Sequence, residues 1–257
     1  MGVLLRADQL SKRYGGVQAL DEVSLHIEEG EIYGLIGPNG AGKTSFFNLL
    51  CGLDRPDRGA LSFAGKPLPH GAHRVAACGI ARSFQNGRLF PSLSALDNVL
   101  IGFHRQQHQR LWDIVLNNRR QRDNERNLHQ RAIALLEELG VADSASRRCA
   151  DQPLGIQRRV EIARALACAP RLLALDEPAA GMNDEESAEL ARLLHSIRAR
   201  GISILLIEHK VGLVMQLCDR LAVLDCGRKI AEGGPASVQH DPAVIRAWLG
   251  PSPVDDG

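Results

Sequence analysis

Hydrophobic and polar positions change texture several times along the chain. The first 35 residues read as short strands. Glu31-Ile-Tyr-Gly-Leu-Ile36 is an apolar run that ends at a Gly/Pro/Asn cluster, as a buried strand does. The pattern then predicts a helix over 43–51 with Gly52 as its C′ terminator, a turn at 54–59 and a strand over 60–64. A strand near 80–84 leads into a loop at 85–88. From Ser94 to about Leu139 the period is helical, opened by Ser94 with Asp97 as a capping pair. Within that stretch Leu128, Ala132, Leu135, Leu136 and Leu139 form one apolar stripe. Beyond Gly155, apolar runs at 172–175, 202–207 and 221–224 alternate with helical segments, which predicts a parallel sheet. Residues 251–257 are rich in Pro, Asp and Gly and read as a frayed tail.

The 257 residues are 44% hydrophobic, which fits an ordinary globular protein rather than a disordered or fibrous one. A chain of this length buries roughly 70–75% of its unfolded surface, enough for one large domain or a core with a smaller lobe. With 31 Lys and Arg against 30 Asp and Glu, the net charge is +1, which argues against a nucleic-acid partner. The six cysteines, at 51, 78, 149, 168, 218 and 226, form no CxxC pair and read as buried small hydrophobes in a reducing compartment. The start, Met1-Gly-Val-Leu-Leu-Arg6, lacks the basic and apolar regions of a signal peptide. No run reaches the ~18 apolar residues that a membrane helix needs. The expected compartment is the cytoplasm, with any membrane contact made through a partner.

Gly37-Pro38-Asn39-Gly40-Ala41-Gly42-Lys43-Thr44 fits G-x-x-x-x-G-K-[ST], after a predicted strand and at the start of a predicted helix. Glycines let backbone N–H groups converge on phosphate oxygens, and the helix N-terminus adds its positive dipole end. Lys43 is the candidate charge for the β- and γ-phosphates and Thr44 the candidate hard ligand for Mg²⁺, with Ser45 beside it. Leu172-Leu-Ala-Leu-Asp176-Glu177 then delivers two carboxylates at the C-terminal end of a buried strand, where α/β sheets hold ligands. Asp176 would hold Mg²⁺ partly through water, and Glu177 would orient or deprotonate an attacking water.

With these motifs in place, the chain resembles the ATP-binding cassette family from about Leu10 to Gly250. Tyr14, in Leu10-Ser-Lys-Arg-Tyr14, falls where the family stacks an aromatic on adenine. Gln85 matches the loop glutamine that senses Mg²⁺ and couples to the transporter. The run Pro153-Leu154-Gly155-Ile156-Gln157 looks like the signature that acts on the opposite subunit's ATP, and Ala180-Gly181-Met182-Asn183 like the dimer-contact loop. His209 looks like the switch histidine that touches the γ-phosphate. The resemblance implies an α/β fold: a RecA-like P-loop core of residues 1–90 and 155–257 with an N-terminal antiparallel β subdomain, and an inserted helical subdomain over 91–154. It also implies a head-to-tail dimer in which each ATP lies between one chain's Gly-rich loop and the other's signature.

Arg82-Ser-Phe-Gln85, Arg88-Leu-Phe90, the run 176–183 and Asp241-Pro-Ala-Val-Ile-Arg-Ala-Trp-Leu-Gly250 are similar to the ATPases of high-affinity branched-chain amino acid importers. Such systems pair two different ATPases with two membrane permease subunits and a periplasmic substrate-binding protein. Urea, other amides, other amino acids and exported lipids are alternative cargoes, and a soluble non-transport cassette is the remaining class. The neutral charge and single cassette speak against that last class. Arg105, Arg110, Arg119, Arg120, Arg122, Arg126 and Arg131 read as a solvated helix face, with contact to anionic headgroups or an acidic permease loop as the alternative. Trp112 is expected to pack on the helical lobe. One departure stands out. The family signature reads Leu-Ser-x-Gly-Gln, whereas Pro153 here takes the serine's place and has neither hydroxyl nor N–H. That would remove a γ-phosphate hydrogen bond at the partner's site and make an assembled pair asymmetric.

Overall fold

The computed structural model describes residues 2–83, 89–103 and 119–249. Gln85, Trp112 and the tail 251–257 lie outside them, as do the side chains of Arg105, Arg110, Arg119, Arg120 and Arg122. In chain order the strands are β1 (Val3–Tyr14), β2 (Val17–Glu28), β3 (Ile32–Ile36), β4 (Arg58–Phe63), β5 (Lys66–Pro67), β6 (Ile80–Arg82), β7 (Leu172–Asp176), β8 (Ser203–Ile207), β9 (Arg220–Asp225) and β10 (Arg228–Gly233). The helices are α1 (Lys43–Leu50), α2 (Ala72–Ala77), α3 (Ala95–Gly102), α4 (Arg119–Glu138), α5 (Leu154–Ala167), α6 (Asp184–Ala199), α7 (Val211–Leu217), α8 (Pro235–Gln239) and α9 (Pro242–Leu249).

The strands make two sheets. One is antiparallel, in the order β2-β1-β4-β5; the other runs β10-β9-β3-β8-β7-β6. In the second, β3 pairs in parallel with β8 and β9, β7 with β6 and β8, and only β10 returns antiparallel at the edge. The expected short N-terminal strands are in fact two strands of 12 residues each. Their register shifts at several points, and Gln9 and Glu22 adopt positive φ of 46° and 53°. Each shift breaks the period-2 alternation, so the sequence reads as fragments where the backbone is continuous.

The middle residues of β3, β7, β8 and β9 are mostly apolar because both sheet faces are covered. Alternate side chains leave on opposite faces. Ile32, Leu173, Leu175, Ile204, Leu206 and Val223 join a core with α3–α7. Tyr33, Leu35, Leu172, Leu205, Ile207 and Leu224 join Phe46 and Phe47 of α1 and the antiparallel sheet. Helix α5 packs on α3 and α4, and Leu128, Ala132, Leu136 and Leu139 supply the expected buried stripe. Arg126 stays exposed, while the Arg131 guanidinium lies 4.7 Å from the Phe103 ring centre. The expectation of six buried cysteines is corrected: Cys51, Cys149 and Cys218 are buried, but Cys78 and Cys226 are exposed. Cys226 sits in the tight turn between β9 and β10, at a positive φ of 44°.

Candidate functional site

The Gly37–Gly42 loop links β3, at the centre of the parallel sheet, to α1. At Gly37 (φ 149°) a Cβ would stand 2.1 Å from the Leu224 carbonyl oxygen, and at Gly42 (φ 104°) 2.4 Å from that of Ala19. Neighbouring strands therefore exclude every other residue at both positions. The β9–β10 turn braces the loop, since the Gly227 N–H donates to Ala41 O at 3.1 Å. Gly42 is the N-cap of α1 and offers no side-chain cap, and no acid lies in the first turn. The opening amides, flanked by exposed Thr44 and half-buried Ser45, are thus placed for an anion. Pro38, Asn39 and Gly40 form the rim, and Ala41 is buried beneath it. Lys43 is 6% exposed, and its Nζ donates to Gly37 O at 2.7 Å and Pro38 O at 2.9 Å. Burial lowers its pKa, against the opposing pull of the Glu177 and Asp176 charges.

Asp176 ends β7 at 2% exposure. Its Oδ2 accepts from Arg82 at 3.3 Å, while another Arg82 nitrogen donates to Asn48 on α1 at 3.2 Å. Burial raises the Asp176 carboxyl above the usual range, with Arg82 opposing. Glu177 follows in the left-handed region (φ 50°), and its N–H donates to Ile207 O at 2.8 Å. Its Oε1 lies 2.8 Å from His209 Nε2. Tyr14, 43% exposed, ends β1, and its hydroxyl donates to Asp54 at 2.6 Å. The Lys12 ammonium stands 5.3 Å from the ring centre, and Ser45 of α1 also interacts with the Tyr14 hydroxyl. Burial and then Asp54 raise the Tyr14 pKa. The Gly-rich loop, Asp176, Glu177 and His209 thus gather at the carboxyl ends of β3, β7 and β8, and Tyr14 lies at the end of β1 beside Ser45 of α1.

The remaining expected residues form a second group. Pro153 is the N-cap of α5 (φ −53°, ψ 150°) and accepts from the Gln157 N–H at 3.0 Å. The Gln157 side chain turns back to Gln152 O at 2.8 Å. Leu154 is exposed, and its Cδ2 lies 3.0 Å from where a Cβ on Gly181 would be. Gly155, Ile156 and Pro153 line a cleft with Met182 and Glu186. Ala180 is half-buried, and Asn183 caps α6 in a capping box with Glu186. Sequence reasoning assigned no role to Arg82, Glu208 or Lys210. An acid closing an apolar strand just before His209 was the available signal for Glu208.

A separate apolar groove opens between α1–α2 and α3–α5, lined by Leu53, Val75, Phe90, Ile101, Arg82 and Arg164. Among the described residues no helix is long and apolar enough to cross a membrane.

Residues 20–180 match the family model described as ABC transporter, and residues 228–250 one described as branched-chain amino acid ATP-binding cassette transporter. The high-affinity branched-chain amino acid transport ATP-binding protein BraF of Pseudomonas aeruginosa is 38% identical over 251 residues, covering 96% of this chain and 98% of that one. The protein of the same description, LivG, from Escherichia coli is 39% identical over 249 residues, again 96% and 98%. Among solved structures, the ADP conformation of an ATP-binding cassette of an ABC transporter has a TM-score of 0.84 and 28% identity. It covers 97% of this chain and 100% of its own.

Proposed function

The chain belongs to the ABC transporter family, and we propose that it binds and hydrolyses ATP to power import of branched-chain amino acids through separate membrane subunits. The observation that carries the chemistry is the Glu177–His209 contact of 2.8 Å beside the Gly-rich loop and Lys43. The relatives' description and nearly full mutual coverage support the cargo.

The amides of α1, Lys43 and Ser45 would hold the phosphates, and Tyr14 would face the adenine. The oxygens of Thr44 and Asp176 fit Mg²⁺, because both are hard ligands and flank the anion-binding helix start. Gln85 joins that set by resemblance. The ion would neutralise charge on the β- and γ-phosphates. Glu177 accepts the proton of the attacking water, and His209, steadied by Glu177, donates toward the γ-phosphate. Arg82 opposes the burial that raises the Asp176 carboxyl above the usual range.

Pro153 to Gln157, with the Ala180–Asn183 loop alongside, would serve the ATP of a second, different ATPase chain in a head-to-tail dimer. The helical lobe over 91–154, continued by α5, would then close against the core of 1–90 and 155–257. The groove at Phe90 and Ile101 would receive a cytoplasmic segment of one of two permease subunits, and the second ATPase chain would receive that of the other. A periplasmic binding protein would act only through those subunits, and the chain would sit on the cytoplasmic face of the membrane.

Glu177→Gln tests the site. It is expected to bind Mg-ATP normally while turnover falls by about 100-fold or more. Turnover near the wild-type rate would overturn the role of Glu177. Light scattering of the same variant with Mg-ATP distinguishes the partner: a persistent monomer supports a different chain, and doubled mass replaces it with a homodimer. Uptake of labelled leucine by the assembled transporter tests the cargo, with urea as the competing substrate.

A further inference from the structure

Glu208 follows the apolar strand β8 and is 3% exposed. A carboxylate this deep needs partners for both oxygens. Its Oε1 accepts the Ala179 N–H at 2.7 Å. Its Oε2 accepts the His209 N–H at 3.0 Å, with the Lys210 N–H at 3.4 Å. The two oxygens hold two different loops. Ala179 lies two residues beyond Glu177, in the turn after β7, and His209 is the next residue in chain. One rigid, planar group thus sets the spacing between the backbones that present Glu177 and His209.

A second strap runs beside it. The Lys210 ammonium donates to the Met182 carbonyl and to Ser187 Oγ at 3.0 Å. Ser187 Oγ in turn donates to Asn183 O at 2.7 Å. Lys210 therefore ties the His209 segment to the 180–183 loop and the first turn of α6.

The pair has need of both straps. Glu177 is held at a positive φ of 50°, a conformation that other residues than glycine leave when unrestrained. The Glu177–His209 contact itself is partly open to water, with 26% and 41% of the two side chains exposed. An exposed contact is weak in isolation and cannot set the geometry of both loops.

We infer that Glu208 is a positioning residue for the hydrolytic pair and that Lys210 couples that pair to the Ala180–Asn183 loop. This rests on the reading of Glu177 and His209 given above. The carboxylate spans the two loops, and the lysine passes movement of the 180–183 loop to His209. Among the described residues, the hydrogen bonds of both side chains go to the loops after β7 and β8 and to α6.

Glu208→Gln keeps the shape but offers an amide NH₂ where one backbone N–H needs an acceptor. In the assembled transporter it is expected to lower kcat by about tenfold or more with KM for ATP within twofold. Added to Glu177→Gln, it should lower the residual rate less than twofold, because both act on one step. Lys210→Met should lower kcat by a smaller factor, and Lys210→Arg, which keeps the donors, should restore it. A parallel fall in kcat and affinity, additive with Glu177→Gln, would overturn the inference. Amide hydrogen exchange on the whole chain gives a readout free of activity. Glu208→Gln should speed exchange across 177–183 and 207–210 and leave 37–50 unchanged. Unchanged exchange in those segments sinks the clamp whatever the turnover. A wild-type transporter without Mg-ATP turnover refutes the hydrolytic reading instead, and the exchange result still decides the clamp. Should Glu208→Gln fail to fold, the Lys210 pair of variants carries the same test through 180–183.

Discussion

Pro153 opens α5 with neither a capping side chain nor an N–H. The position is one where serine would serve twice, by capping the helix and by donating to a phosphate across a dimer. Losing proline's restraint on the unfolded chain costs about 0.4–1 kcal/mol, and gaining a serine cap returns about 1 kcal/mol. Pro153→Ser should therefore leave the thermal midpoint nearly unchanged while raising turnover of the assembled pair several-fold. A steady-state assay of the pair alongside a melt checks this, and unchanged or lower turnover counts against a weakened opposite site. Other residues were legible for local reasons. The demand for glycine at 37 and 42 shows in the motif because the loop's own backbone sets it. The partner of Tyr14 was not legible, since Asp54 lies 40 positions away and meets it only through the fold. Glu208 was hidden in the same way, because its bond to Ala179 spans 29 positions.

At the level of elements, the clearest sequence signals were self-contained. The Ser94–Asp97 cap is present, with Asp97 N–H donating to Ser94 Oγ at 3.0 Å. Strand β10, by contrast, was not read at all. Its residues are half-buried rather than apolar, and it is held by a polar network across three strands. The Tyr33 hydroxyl donates to Glu232 at 2.7 Å, Arg220 donates to the same oxygen at 2.7 Å, and Lys229 pairs with the other. Arg220 also reaches Glu31 at 3.1 Å. Burial alone would raise the Glu232 carboxyl, but Lys229, Tyr33 and Arg220 outweigh it and hold it below the usual range. A depressed carboxyl contributes stability above its ordinary value of 4.5 and loses it as pH falls through the native one. Burial raises Glu31, so its contribution runs the other way and is lost as pH rises. Glu232→Gln should therefore lower stability at pH 7 and shrink the loss between pH 5 and 3, as read by urea melts across that range. An acid loss equal to the wild type's would exclude Glu232 as its source.

Across the whole molecule, the two clusters of site residues and the groove lie on one framework because both faces of the parallel sheet are used. The face under α1 supports the Gly-rich loop, and the face under α5 supports the Pro153 segment. The groove lies between them, with Phe90 49% and Ile101 40% exposed. Exposed apolar side chains this close together suit a partner surface. Ile101→Asp should cost the isolated chain little, about 0.5 kcal/mol, as surface substitutions do. It should abolish co-purification with the permease subunits. Retained co-purification would move the docking site elsewhere.

What the sequence determined alone is the set of features whose cause is local: the Gly-rich loop, the apolar strands, the caps, the stripe of α4 and the paired carboxylates after β7. Short-range backbone and periodicity requirements select those residue types, so they can be read one segment at a time. The tertiary structure alone decided which distant segments meet. It joined Glu177 to His209 across 32 positions and continued β1 and β2 through their register shifts. It left Cys78 and Cys226 at the surface and put a single buried carboxylate, Glu208, between two loops. Such contacts depend on the strand order of the sheet, and composition along the chain carries no record of that order.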